Sequence, residues 1–150
     1  VTIEILNQQS SLEVPEEKIR GVLKHIMLEE LGHEVNISVA IVSDHRIAEL
    51  NKAFLDHIGP TDVLAFPLGE EEDTTESMAV FGEIVISAGR AIEEARQRKI
   101  DPQLELILYA IHGMLHLVGY TDDTLKDLKV MQRRETEVLK SLSGKDKTES

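Results

Sequence analysis

The sequence predicts a single α/β domain, α+β-like in arrangement, with about four strands and five helices. Three observations lead there. Short runs rich in β-branched residues alternate with longer stretches whose apolar residues recur every three or four positions. No internal repeat and no long linker divides the 150 residues, a length suited to one domain with a real core. The chain is 41% hydrophobic and 29% charged, an ordinary balance for a soluble globular protein.

The elements follow in order. Thr2 to Leu6 alternates around Ile3 and Ile5 and reads as a strand. Pro15, Glu16 and Glu17 open a helix, since proline tolerates the first turn and acids suit its positive end. Ile19, Val22, Leu23, Ile26 and Met27 continue it to Leu31, and Gly32 ends it. Val35 to Val42 is a β-branched second strand. Ser43 or Asp44 caps a helix striped by Ile47, Leu50 and Phe54, which Gly59-Pro60-Thr61 breaks. Asp62 to Phe66 is a short strand closed by Pro67.

Gly69 to Ser77 holds Glu70, Glu71, Glu72, Asp73 and Glu76 without an apolar side chain and reads as a solvated loop. It lacks the spacing of an EF-hand calcium site. Val80 to Ile86 is the fourth strand, with Gly82 marking a bulge or a close approach. Ser87 caps a helix carrying Ile92 and Ala95, and Asp101-Pro102 opens the next. Thr124 begins a last amphipathic helix that runs through about Leu139. The domain thus covers residues 1–140, and 141–150 read as a disordered tail.

The formal charge of −12 argues against a generally basic, non-specific nucleic-acid binder, whose affinity comes from cancelling phosphate charge. It leaves room for a local basic groove, a metal or a basic protein partner. With no cysteine there are no disulfides and no thiolate ligands, which fits a reducing cytoplasm. Val1 to Ile5 lacks the pattern of a secretion signal, and no run approaches the roughly 20 apolar residues of a membrane span. A soluble, cytoplasmic protein is expected.

The stretch from Ile111 to Asp123 carries the chemistry. Leu104, Ile107, Leu108, Ile111, Leu115 and Val118 form one apolar helix face, which a plausible arrangement packs against one face of the sheet. His112 and His116, four apart, project from the same side beside that stripe, and Glu105 and Tyr109 continue the polar line. Gly119 lets the helix end in a left-handed turn that brings Asp122 back toward the two rings. Two imidazoles and one carboxylate are a common set for a catalytic metal, with a fourth position left for water. Asp123 is a rival for the third ligand, and the alternative to a metal is a pair of packed, hydrogen-bonded histidines. The set is not that of the His-Glu-x-x-His proteases. Their general base follows the first histidine, and here that position is Gly113. The base must come from elsewhere, or the metal-activated water must itself be the nucleophile.

The block His112-Gly113-x-Leu115-His116-Leu117-x-Gly119-Tyr120 resembles the signature of the YbeY family, metal-dependent endoribonucleases of ribosomal RNA maturation. Two further blocks agree: Leu50-Asn51 with Pro60 to Pro67, and Gly82 to Ser87. Together with the segments between, the likeness spans roughly residues 35 to 140. It implies an α/β fold with a three-ligand metal site, usually zinc, in a groove for single-stranded RNA. His112 and His116 fall on the first two ligand positions. The third, normally histidine, is Asp122, and Thr121 replaces the usual aspartate before it. Such a site carries one less positive charge than three histidines, so a less acidic water and a shifted metal preference are expected. Leu55 stands where the family often carries an arginine.

The expected function is therefore a metal-dependent single-strand endoribonuclease in ribosomal RNA maturation and ribosome quality control, working through a metal-activated water at His112, His116 and Asp122. Thr61 and Asp62 are groove candidates, and Arg46, Lys52, Arg90, Arg96 and Arg98 are possible phosphate contacts. His25, His33, His45 and His57 have no partner at ligand spacing. The acidity favours a ribosome or ribosomal-protein partner that steers the chain to RNA. The alternatives are a metal-dependent hydrolase of another substrate and a non-catalytic ribosome or RNA-binding factor with a structural metal.

Overall fold

The computed structural model describes residues 3–55, 63–68 and 81–149, with residues 50–55 and 143–149 described by backbone alone. Its elements are β1 (Ile3–Asn7), α1 (Glu16–Ile26), β2 (Ile37–Val42), α2 (Asp44–Leu55), β3 (Val63–Pro67), β4 (Gly82–Ser87), α3 (Ala88–Arg98), α4 (Pro102–Leu117) and α5 (Leu125–Glu149). The four strands form one sheet in the order β1-β2-β4-β3. β1, β2 and β4 run parallel, and β3 is antiparallel to β4. This is the mixed α/β architecture expected. Pro67 closes the edge strand, where its missing N–H costs no ladder bond.

Alternation along the strands divides the core. Ile3, Ile37, Val39, Ile41, Ile84 and Ile86 face a layer built by α1, α3, α4 and α5, and Ala40, Val42, Leu64 and Val85 meet Ile47 of α2. β2 is buried on both faces, so its apolar run is interrupted only by the small Ser38. α4 packs on β3 and β4 and is flanked by α1, α3 and α5. With neighbours on so many sides it buries Leu106, Ala110 and Met114 besides the expected Ile107, Ile111 and Leu115. Each large apolar side chain so enclosed contributes about 1.5–3 kcal/mol.

Some boundaries differ from expectation. The second strand starts at Ile37, and just before it Asn36 O accepts from Phe81 N–H at 2.8 Å. The first helix ends in a π turn over Met27–Leu31, closed by Gly32 at φ 81°. The pairing at Gly82 is regular rather than bulged, and the glycine answers to a close approach. A Cβ there would lie 2.7 Å from Leu117. α5 continues through residues 141–149, read above as a tail, and Leu139 and Leu142 carry its packed side past the expected end. Among the described residues no helix is long and apolar enough to cross a membrane.

Candidate metal centre

α4 starts at Asp101, whose carboxylate accepts from Gln103 N–H, with Pro102 in the first turn. Three turns on, Gly113 faces the sheet. A Cβ there would come within 2.7 Å of Ile84 Cγ2, so glycine sets how closely helix and strands approach. The position that bears the base in the zinc proteases is therefore turned into the core.

The flank beside Gly113 carries His112 and His116, both half-buried, with Nε2 atoms 3.1 Å apart and rings at 80°. After Leu117 the chain reverses through a Schellman motif. Gly119 N–H donates to His116 O at 3.1 Å, Tyr120 N–H donates to Leu115 O at 2.9 Å, and Gly119 sits at φ 112°. The reversal carries Asp122 Oδ2 to 3.8 Å from His112 Nε2 and 3.7 Å from His116 Nε2. The three ligand atoms lie within 4.8 Å of one another. Ligands of a tetrahedral zinc stand about 3.3–3.6 Å apart, a value these separations straddle. The donor set therefore fits a single divalent metal. Asp123 is exposed and does not belong to this group.

Two further contacts hold the arrangement. Glu135 of α5 accepts from His112 Nδ1 at 2.7 Å, which leaves the Nε2 lone pair aimed at His116 and Asp122. Glu135 escaped the sequence reading, although it lies between the buried Met131 and Val138 at helical spacing, and an acid in an apolar stripe is the signal that could have found it. Tyr120 Oη donates to Glu30 at 3.0 Å, and Arg134 Nε donates to the same carboxylate at 2.9 Å. Burial, then the Glu30 hydrogen bond and charge, hold the Tyr120 phenol above its ordinary value. Arg134 also pairs with Glu29 and Glu137. Burial opposes its charge, but the bonds to Glu29, Glu30 and Glu137 outweigh that and raise its pKa. This cluster ties α5 and the loop after α4 to the end of the first helix.

The centre stands at one end of a cleft of about 820 Å³ between α4 and α5. Glu105 and Arg98, joined at 2.7 Å, line it farther along α4. Of the other basic residues considered, Arg90 pairs with Glu94 and Arg96 with Glu93 on their own helix, and Arg46 lies 4.0 Å from Glu49. His25 and His45 stand near Glu29 and Glu49, and His33 Nδ1 lies 3.1 Å from Glu34 O. Thr61, Asp62, His57 and the acidic segment 69–77 lie outside the described residues, as do the side chains of Lys52 and Leu55.

Against known proteins, the profile of the family described as endoribonuclease YbeY matches residues 4–143. The endoribonuclease YbeY of Thermoanaerobacter sp. strain X514 is 35% identical over 139 residues, covering 85% of this chain and 87% of that protein. That of Syntrophotalea carbinolica is 31% identical over 138 residues, covering 91% and 92%. The solution structure of TM1509 from Thermotoga maritima superposes with a TM-score of 0.66 at 30% identity, covering 99% of this chain and 93% of that one.

Proposed function

This chain belongs to the YbeY endoribonuclease family, and we propose that it is a metal-dependent endoribonuclease that cuts single-stranded RNA in ribosomal RNA maturation and ribosome quality control. His112, His116 and Asp122 hold the metal, most naturally zinc. The observation that carries this reading is the convergence of three ligand atoms within 4.8 Å at the end of an open cleft. When bound, a divalent metal supplies a Lewis acid that polarises a phosphoryl oxygen and makes water a stronger nucleophile at neutral pH.

The protein's own groups supply position. Glu135 fixes the tautomer and plane of His112. The turn at Gly119 sets the reach of Asp122, and the Tyr120–Glu30 bond keeps that turn in place. Asp122, 40% exposed, is the most accessible of the three ligands. Its negative charge lowers the net charge of the centre relative to three neutral imidazoles, which tempers Lewis acidity. The ribosome, or a ribosomal protein, is the partner that brings this acidic chain to RNA, and the cytoplasm is where they meet.

The test is cleavage of a single-stranded ribosomal RNA fragment by metal-stripped protein as zinc is added back, at low and constant salt. Cleavage should return with metal, and Asp122→His should run faster than the wild type. Tight metal binding without cleavage by either protein would refute the nuclease reading and favour another substrate.

A further inference from the structure

We infer that Arg98 is a substrate-binding residue, holding a backbone phosphate of the RNA strand at the end of the cleft away from His112, His116 and Asp122. The inference rests on the nuclease reading of this cleft but concerns a residue that the metal centre does not need.

Among the described residues lining the cleft, Glu105, Asp122 and Glu135 are acidic and Arg98 is the one lysine or arginine. In a chain of net charge −12, a polyanion lying along these walls meets three carboxylates, and among the described lining residues Arg98 is the one permanent cation to offset them.

Arg46, Arg90 and Arg96 face acids three or four residues away on their own helices. Arg98 instead reaches from the last turn of α3 to α4, where Nη1 donates to Glu105 Oε1 at 2.7 Å. Glu105 is 1% exposed while the Arg98 side chain is 56% exposed, so the anchor is buried and the guanidinium remains at the cleft. A carboxylate fixed in this way sets the orientation of a planar fork whose other N–H groups match phosphate oxygens, and less rotamer freedom is then lost on binding. Among the described residues Arg98 has no second carboxylate within ion-pair distance.

Glu105 and His112 are seven residues, or about 10 Å, apart along α4. One extended strand can therefore meet Arg98 and the metal centre together.

Anisotropy of a labelled single-stranded RNA, titrated with zinc-loaded protein across a salt series, tests this. Wild type is compared with Arg98→Gln and with Arg98→Gln/Glu105→Gln. The double variant leaves no unpaired buried carboxylate and preserves net charge, so it serves should the single variant not fold. The folded variants should bind on the order of tenfold more weakly. The slope of log affinity against log salt should become shallower by about 0.7, as one lost phosphate contact requires. KM for cleavage should rise with kcat little changed, and Arg98→Lys should restore much of the salt slope. A folded double variant with wild-type affinity and slope would make Arg98 a structural ion-pair partner only, leaving the nuclease reading intact. A wild type that neither binds nor cuts RNA would overturn both.

Discussion

The two sides of α4 obey different rules. On one, Ile111, Met114 and Leu115 are fully buried and Gly113 brings the backbone against Ile84. On the other, one turn apart, His112 and His116 remain part-exposed and find polar partners on α5 and in the following loop. The first side is apolar contact at crystal-like density, where the loss or gain of one methyl group is felt. The second is a polar set that gains nothing from density and needs orientation instead. The difference shows how this fold positions chemistry. Packing fixes the helix, and the helix then presents two of the three proposed ligands, His112 and His116, at a separation set by its own 3.6-residue repeat.

Disturbing each side separately sharpens that contrast. The largest effect is expected from His116→Ala, which removes a proposed metal ligand without opening the core. Cleavage should fall by more than about a hundredfold while the metal-free thermal midpoint barely moves. Next comes Glu135→Gln, which frees the His112 ring. A chelator competition should show metal affinity reduced about 10- to 100-fold with the fold intact. Gly113→Ala tests the packed side. Overpacking against Ile84 should outweigh the helix-propensity gain of alanine, for a net loss of about 1–2 kcal/mol in urea unfolding.

The smallest expected effect lies outside both sides, at Glu29 in the Arg134 cluster. The Arg134 hydrogen bond, then the charge of His25, holds its carboxyl below the ordinary value of 4.5. A lowered carboxyl pKa stabilises the folded state fully above the ordinary value, and that contribution fades as pH falls through the lowered one. Unfolding midpoints of wild type and Glu29→Gln should therefore differ slightly near neutrality and converge in acid.

Much of the chemical side was legible because its signals are local. The four-residue spacing of His112 and His116, the glycine at 119 and the acid three residues later all fall within one short stretch. The structure brings those side chains together. Glu135 was not legible in the same way. It lies 23 residues from His112, and only the crossing of α5 over α4 joins them. Glu105 was read as part of a polar line and is instead buried, because a neighbouring helix end supplies Arg98. The apolar side of α4 was half legible. Periodicity located Ile107, Ile111 and Leu115, while Leu106, Ala110 and Met114 are buried by neighbours on the other flanks. The π turn at Met27–Leu31 carries no residue pattern that distinguishes it from an ordinary last turn.

We propose that α4 and the loop after it form a metal centre. The most direct measurement is equilibrium zinc binding by metal-stripped protein, with stoichiometry, for the wild type beside His116→Ala. One zinc per chain, bound tightly by the wild type and weakly by the variant, is the predicted result. Equal zinc affinity in both proteins would place the metal elsewhere and contradict the account.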